Sequence, residues 1–425
     1  MNNTKSKYGQ TMYHRVLSNG LNVFLFPKKG FQKKYAMYSV NFGSQDSVFS
    51  VDGELCKTPA GVAHFLEHKV FEQKDGNALQ MFAATGASPN AFTSRTMTAY
   101  HFECTDGFFE NLEILLRFVN NPYFTPENVQ KEQGIIGQEI DMVNDNAGWI
   151  AYNSLYRALY PEHTIRESII GTAKSIAQIT DELLYKCHGT FYRPENMVLT
   201  VCGDVDFDKV CETAERIVPN KPMPNVERIY DTGDKRTAGR VEPTSNMEIF
   251  TPTFLAGFRD VPPESGDNFR KHVLKANIAA EYIAGTLSPL YNDLYSKNII
   301  KRDFGVEYSP FAGGGVLMAG GDSTQPKLVC EQLLKAADNV RKGNIDKNLL
   351  DCVKKSQYGF ETRIIDLPES LCAEQTEAFF RKTDFLNDLS VFDIDENSVC
   401  DYISNVISEN NYDVATVYPS ERSDG

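Results

Sequence analysis

The sequence predicts an α+β chain of two related halves, each a mostly antiparallel sheet packed with helices on one face. Three observations carry this. Short strand-like runs alternate with turn signals, longer segments show helical spacing of apolar residues, and the two halves end alike, PENMVLTVCGD (residues 194–204) against NNYDVATVYPS (410–420). Strands gathered in one layer and helices in another define the class. A chain of 425 residues also exceeds what one typical core organises.

In the first half, strands are expected over about residues 15–26, turning at Asn19-Gly20 with a type I′ signal, and over 36–42. A helix carrying His64-Phe65-Leu66-Glu67-His68 follows. The next clear helix spans residues 127–143, where Val129, Ile135, Ile136, Ile140 and Val143 recur at helical spacing behind Pro126. Residues 197–202 read as a buried strand. Residues 219–245 are rich in Pro, Gly and charge and read as a linker. The second half repeats the outline with a strand at 246–258, a helix at 268–284, a strand at 315–319, a helix at 326–342, further helices and a closing strand at 412–418. The expected domains are therefore 1–218, bearing the metal motif, and 246–425, without it.

His64 and His68 stand four residues apart, about 40° around a helix, so both imidazoles can face one metal. Glu67 shares that face, where a general base belongs, and H-x-x-E-H is the inverted zincin motif. A catalytic zinc takes three protein ligands and keeps the fourth position for water, so a third must come from elsewhere. Glu132 and Glu139 lie two turns apart on one stripe of the 127–143 helix. Glu139 can ligate while Glu132 orients a ligand or the water. Singly, each of these residues reads as a solvated charge or a core histidine, and a chance H-x-x-E-H arises in roughly one such chain in a hundred.

The surrounding residues change those odds. Gly61-Val62-Ala63-His64-Phe65-Leu66-Glu67-His68 with Phe71-Glu72 resembles the active-site helix of the pitrilysin/insulinase metallopeptidases, in their bacterial, mitochondrial-processing-peptidase-like branch. Glu132 and Glu139 are similar to that family's downstream E-x6-E pair. Gly171-Thr172, Tyr192-Arg193-Pro194-Glu195-Asn196-Met197 and Gly203-Asp204 resemble its later signature. The resemblance implies two insulinase-like α/β domains, one Zn2+ per chain held by His64, His68 and Glu139, Glu67 as base and Glu132 in support. It further implies that a strand with Asn90, Ala91, Phe92 and Thr93 binds extended peptide, inside a chamber whose other wall supplies an Arg and a Tyr. Tyr308, in Gly305-Val306-Glu307-Tyr308, matches that Tyr, whereas Lys301 and Arg302 fall out of register with the Arg.

The implied function is a zinc metalloendopeptidase acting on peptides or unfolded segments, as the catalytic subunit of a heterodimer. The partner would be a homologous sister chain without metal, or a second copy by self-association. Alternatives are a maturation protease that trims one leader peptide and a non-catalytic structural subunit with the peptidase fold.

Composition fits these readings. Hydrophobic residues at 41% and charged ones at 24% describe an ordinary globular protein, and a formal charge of −14 argues against nucleic acid as a partner. No apolar run reaches a membrane span, the N-terminus lacks a signal-peptide core, and nine scattered cysteines read as reduced thiols. A cytoplasmic protein with no membrane partner is the expectation. Gly313-Gly314-Gly315 and Gly320-Gly321 lack the Lys of a phosphate loop and read as close backbone approach around a strand.

Overall fold

A computed structural model describes residues 2–5, 8–74, 76–230 and 242–420, which divide into two units. The first contains Met1–Ile140, Glu167–Tyr230 and Thr362–Asp388, and the second Asp141–Arg166, Asp231–Glu361 and Leu389–Gly425. The units thus interleave in sequence, where contiguous stretches 1–218 and 246–425 were expected.

In the first unit a seven-stranded sheet runs in the order Asn2–Lys5, Thr11–Val16, Asn22–Pro27, Met197–Gly203, Lys34–Val40, Thr98–Cys104, Ser88–Thr93. Only the pair Asn22–Pro27 and Met197–Gly203 is parallel. The second unit has Thr244–Met247, Tyr412–Pro419, Thr253–Asp260, Gly314–Asp322 and Gly305–Phe311, and again only the first pair is parallel. In each unit the last strand in sequence lies between two strands that follow one another in sequence, parallel to the earlier and antiparallel to the later. That shared topology bears out the duplication. The helix Gly266–Ala284, following the second sheet's strand Thr253–Asp260, packs on that sheet's strands Gly305–Phe311 and Gly314–Asp322.

Each sheet is also covered on a second face by a helix from the other half of the sequence. Pro368–Phe380 lies on the first sheet, where Leu371 and Cys372, both fully buried, join Met37, Val198 and Cys202 in one cluster. Tyr38, the neighbour of Met37, points to the opposite face and accepts a hydrogen bond from Asn120 Nδ2 on helix Phe108–Asn120. Ala147–Leu159 covers the second sheet in the same way, with Leu155, Tyr156 and Leu159 against Val316, Met318 and Ala415. Strands enclosed on both faces lose the clean alternation of a half-exposed sheet, and all seven residues of Met197–Gly203 are buried.

Local chemistry explains the departures from the expected elements. The opening hairpin is present, but Ser18-Asn19-Gly20 is a three-residue loop with only Gly20 at positive φ (88°), which is not a type I′ turn. Within the expected linker, Val226–Arg228 forms a strand of a small sheet with Val48–Val51 and Glu54–Lys57, anchored by Arg228 Nε at 3.1 Å from Asp46. Thr244–Met247 joins the second sheet, and residues 231–241 of that linker lie outside the described residues. The glycine-rich run is borne out as close approach: a Cβ on Gly320 would stand 2.1 Å from the Phe254 carbonyl oxygen.

Candidate metal centre

The motif helix Val62–Val70 is set in place at its N-terminus by two glycines. Gly61, at φ 94°, has no room for a Cβ, which would lie 2.7 Å from the Ile170 carbonyl oxygen. A Cβ on Gly171 (φ 78°) would lie 2.4 Å from Ala60 O, and Ser175 Oγ donates to that same carbonyl at 2.8 Å. The Gly171-Thr172 part of the later signature therefore fastens the motif helix. Of the helix's nine residues all but His68 are buried, so its direction is fixed on all sides.

From this helix His64 and His68 turn towards Glu139 on helix Pro126–Asn144. His64 Nε2 lies 3.6 Å from Glu139 Oε1 and His68 Nε2 lies 3.8 Å from Oε2. One donor atom from each of the three falls within 4.8 Å of the others, the only such set of His, Cys, Asp and Glu among the described residues. Donors about 2.0–2.2 Å from a tetrahedral zinc stand about 3.4 Å apart, so the set fits that ion after small adjustments. The donor chemistry fits as well. Burial and neighbouring His68 push the His64 imidazole down to about 3, which keeps it in the neutral form that ligates metals. Its Nδ1 is buried and has no hydrogen-bond partner among the described residues.

His68 is oriented through its other nitrogen, Nδ1, which donates to Glu132 Oε1 at 3.1 Å. Burial lowers its pKa, but the Glu132 hydrogen bond and the charges of Glu67, Glu132 and Glu139 raise it overall. Burial acts upward on Glu132, and His68 and Lys69 outweigh it and hold the carboxyl below its usual range. Glu67 is nearly buried, and that burial, with Glu139 adding to it, raises its pKa against the pull of Thr93 and His68. Thr93 Oγ1 donates to Glu67 Oε2 at 2.6 Å. Behind Glu67, Tyr192 of the later signature shares a 2.8 Å hydrogen bond with Tyr100.

A cavity of about 920 Å³ opens beside the site, lined by Glu67, His68, Glu132, Asn90 and Ala91 among others. Asn90 and Ala91 belong to Ser88–Thr93, the terminal strand of the first sheet, which pairs with Thr98–Cys104 on one side and carries no strand on the other among the described residues. Phe92 and Thr93 do not line the cavity. The Phe92 ring packs on the opposite face near His101 (6.2 Å), and Thr93 serves Glu67. Tyr308 lies in the second half of the chain, where the resemblance put it. It belongs to the second unit, where its ring is buried beside His272 and Tyr402.

Residues 55–173 match the insulinase (peptidase family M16) model, and residues 178–357 match the peptidase M16 inactive domain. The zinc protease YmfH of Bacillus subtilis (strain 168) is 37% identical over 410 residues, 94% of each chain. This chain belongs to the M16 insulinase family. Its fold is that of a putative M16-like peptidase from Alicyclobacillus acidocaldarius, with TM-score 0.92, 30% identity and coverage of 98% of this chain and 100% of that one. A protease from Helicobacter pylori shares the fold at TM-score 0.80 and 17% identity, covering 96% and 99%. The family and the two-domain α+β class expected from sequence are thereby borne out, and the inactive-domain match falls mostly in the second half of the chain.

Sequence reasoning missed one residue of the site. Lys69 is fully buried and contacts both Glu72 and Glu132. Its position four residues after Phe65 and seven after Val62, on the apolar face of the motif helix, was the available signal, because a charge there demands partners.

Proposed function

We propose that the chain is a zinc endopeptidase that cleaves extended, unfolded peptide segments. The observation that carries this reading is the convergence of His64, His68 and Glu139 with the Glu67 carboxylate beside them and an open strand edge along the same cavity. Zinc bound there would lower the pKa of its water to about 7 and polarise the scissile carbonyl.

The chain's own residues would do the rest. Glu132 holds His68 by Nδ1 so that Nε2 faces Glu139. Glu67, its basicity raised by burial, takes a proton at Oε1 while Thr93 holds Oε2, and returns it to the leaving amine. The free edge of Ser88–Thr93 would bind substrate main chain through Asn90 and Ala91, which selects extended conformation more than sequence.

A homologous chain without metal, or a second copy, is proposed to close the chamber and supply the cation for which Lys301 and Arg302 are out of register. The nine free cysteines support a cytosolic location, and no helix among the described residues is long and apolar enough to cross a membrane. Trimming of one leader peptide would use the same chemistry with a narrower substrate.

The test is Glu67→Gln assayed with a quenched peptide library, alone and mixed with any co-encoded homologue. The variant should keep zinc and lose about 10²–10⁴-fold in kcat. Turnover retained at the wild-type level removes Glu67 from this role, and activity of the lone wild-type monomer removes the need for a partner.

A further inference from the structure

Lys69 directly follows the second motif histidine and has no exposed surface. An ammonium taken out of water persists only when carboxylates compensate it. Two do so. Glu72, three residues on, is in close contact with Lys69 Nζ, and Glu132 Oε2 lies 3.5 Å away. The other oxygen of Glu132, Oε1, accepts from His68 Nδ1 at 3.1 Å. Each carboxylate oxygen therefore has its own donor, and the two donors are consecutive residues of one helix. Consecutive side chains diverge by about 100° around a helix, so they can grip a single carboxylate only when it enters from the flank. Helix Pro126–Asn144 delivers Glu132 there and carries Glu139 two turns further on.

We propose that Lys69 is a positioning residue of the metal centre: it clamps Glu132 so that this carboxylate fixes the His68 ring, with Nδ1 turned inward and Nε2 presented beside Glu139. This rests on the zinc-peptidase reading above. A glutamate's terminal torsion is broad and nearly two-fold, so Glu132 held at one oxygen alone could turn and release His68. Held at both, it cannot. The same lysine ties Glu72, on the cavity wall, to the same carboxylate.

The experiment compares Lys69→Met, Lys69→Arg, Glu132→Gln and the Lys69→Met/Glu132→Gln double variant in the full chain. Zinc affinity is read by chelator competition, and kcat and KM on a quenched peptide at saturating zinc. Partners of a metal-bound histidine are commonly worth about 10–100-fold in affinity or activity. Lys69→Met should weaken zinc binding and lower kcat by about that factor with KM within about twofold, Lys69→Arg should recover most of it, and the double variant should be no worse than the poorer single one. Zinc affinity and kcat of Lys69→Met within about twofold of wild type overturn the role, as do effects that multiply in the double variant. Should Lys69→Met not fold, Lys69→Gln takes its place in the same cycle with the same two criteria. A wild-type chain that binds no zinc overturns the peptidase reading and this role together, whereas zinc-loaded wild type with an unmoved Lys69→Met overturns the role alone.

Discussion

Replacing Gly61 with Ala is expected to destabilise the first unit by about 1–5 kcal/mol and to weaken metal binding at His64, three residues along the same helix. Gly61 caps the motif helix at φ 94°, a left-handed conformation that costs an L-residue about 1–2 kcal/mol. The new Cβ would lie 2.7 Å from Ile170 O and 3.0 Å from its carbonyl carbon. These are backbone atoms, so relief requires moving a chain segment, at a cost of about 1–3 kcal/mol. Reduced freedom of the unfolded chain returns about 0.4–1 kcal/mol.

Gly53 supplies the control. It also has positive φ (87°), but a Cβ there meets nothing within 4 Å. Gly53→Ala should cost only about 1 kcal/mol, and the excess for Gly61→Ala measures the close approach. The assay is urea unfolding of both variants with metal removed, followed by zinc titration. A Gly61→Ala cost no greater than that of Gly53→Ala refutes the view that this contact sets the motif helix.

Two further outcomes follow from the structure. Asp260, buried in the second unit, accepts from His272 Nε2 at 2.6 Å and Tyr402 at 3.0 Å. Burial pushes its pKa up, but the His272 hydrogen bond and charge and the Tyr402 hydrogen bond bring it below the ordinary value, so its stabilisation is full above the unfolded pKa and lost as pH falls through the lowered one. Asp260→Asn should therefore cost about 1–3 kcal/mol at pH 7, and the gap to wild type in melting experiments should close below about pH 4; a gap independent of pH contradicts this. Gly134, inside helix Pro126–Asn144, has open space at its Cβ position. Gly134→Ala should stabilise by about 0.5–1 kcal/mol in urea unfolding, and a loss would mean that the helix needs flexibility there.

The candidate metal site was legible because its chemistry is local: His64, Glu67 and His68 are fixed by one helical period, and Glu132 and Glu139 by another. The convergence of the two helices was implied by family resemblance, since no period in either segment points at the other. Interleaving of the units was not legible. The helix Ala147–Leu159 advertises a buried face, but periodicity does not say that Val316 and Ala415, far along the chain, will cover it. Strand Gly305–Phe311 escaped notice because its Val306-Glu307-Tyr308-Ser309 alternation is short and ends at Pro310, which is tolerated at a sheet edge. Thr93 was expected to face substrate, yet its hydroxyl serves Glu67, because strand alternation puts it on the motif-helix side while Phe92 turns away. Tyr308 matched a family position in sequence but is enclosed by its own unit's core.

Zinc stoichiometry bears most directly on the central claim. Elemental analysis of the full wild-type chain and of Glu139→Gln, with melting curves before and after chelation, should give one zinc per wild-type chain and a melting point that falls on chelation. Glu139→Gln should retain much less zinc and respond weakly to the chelator. A wild-type chain that takes up no zinc when it is supplied, or a Glu139→Gln variant that holds it as tightly, contradicts the assignment of His64, His68 and Glu139 as the metal ligands.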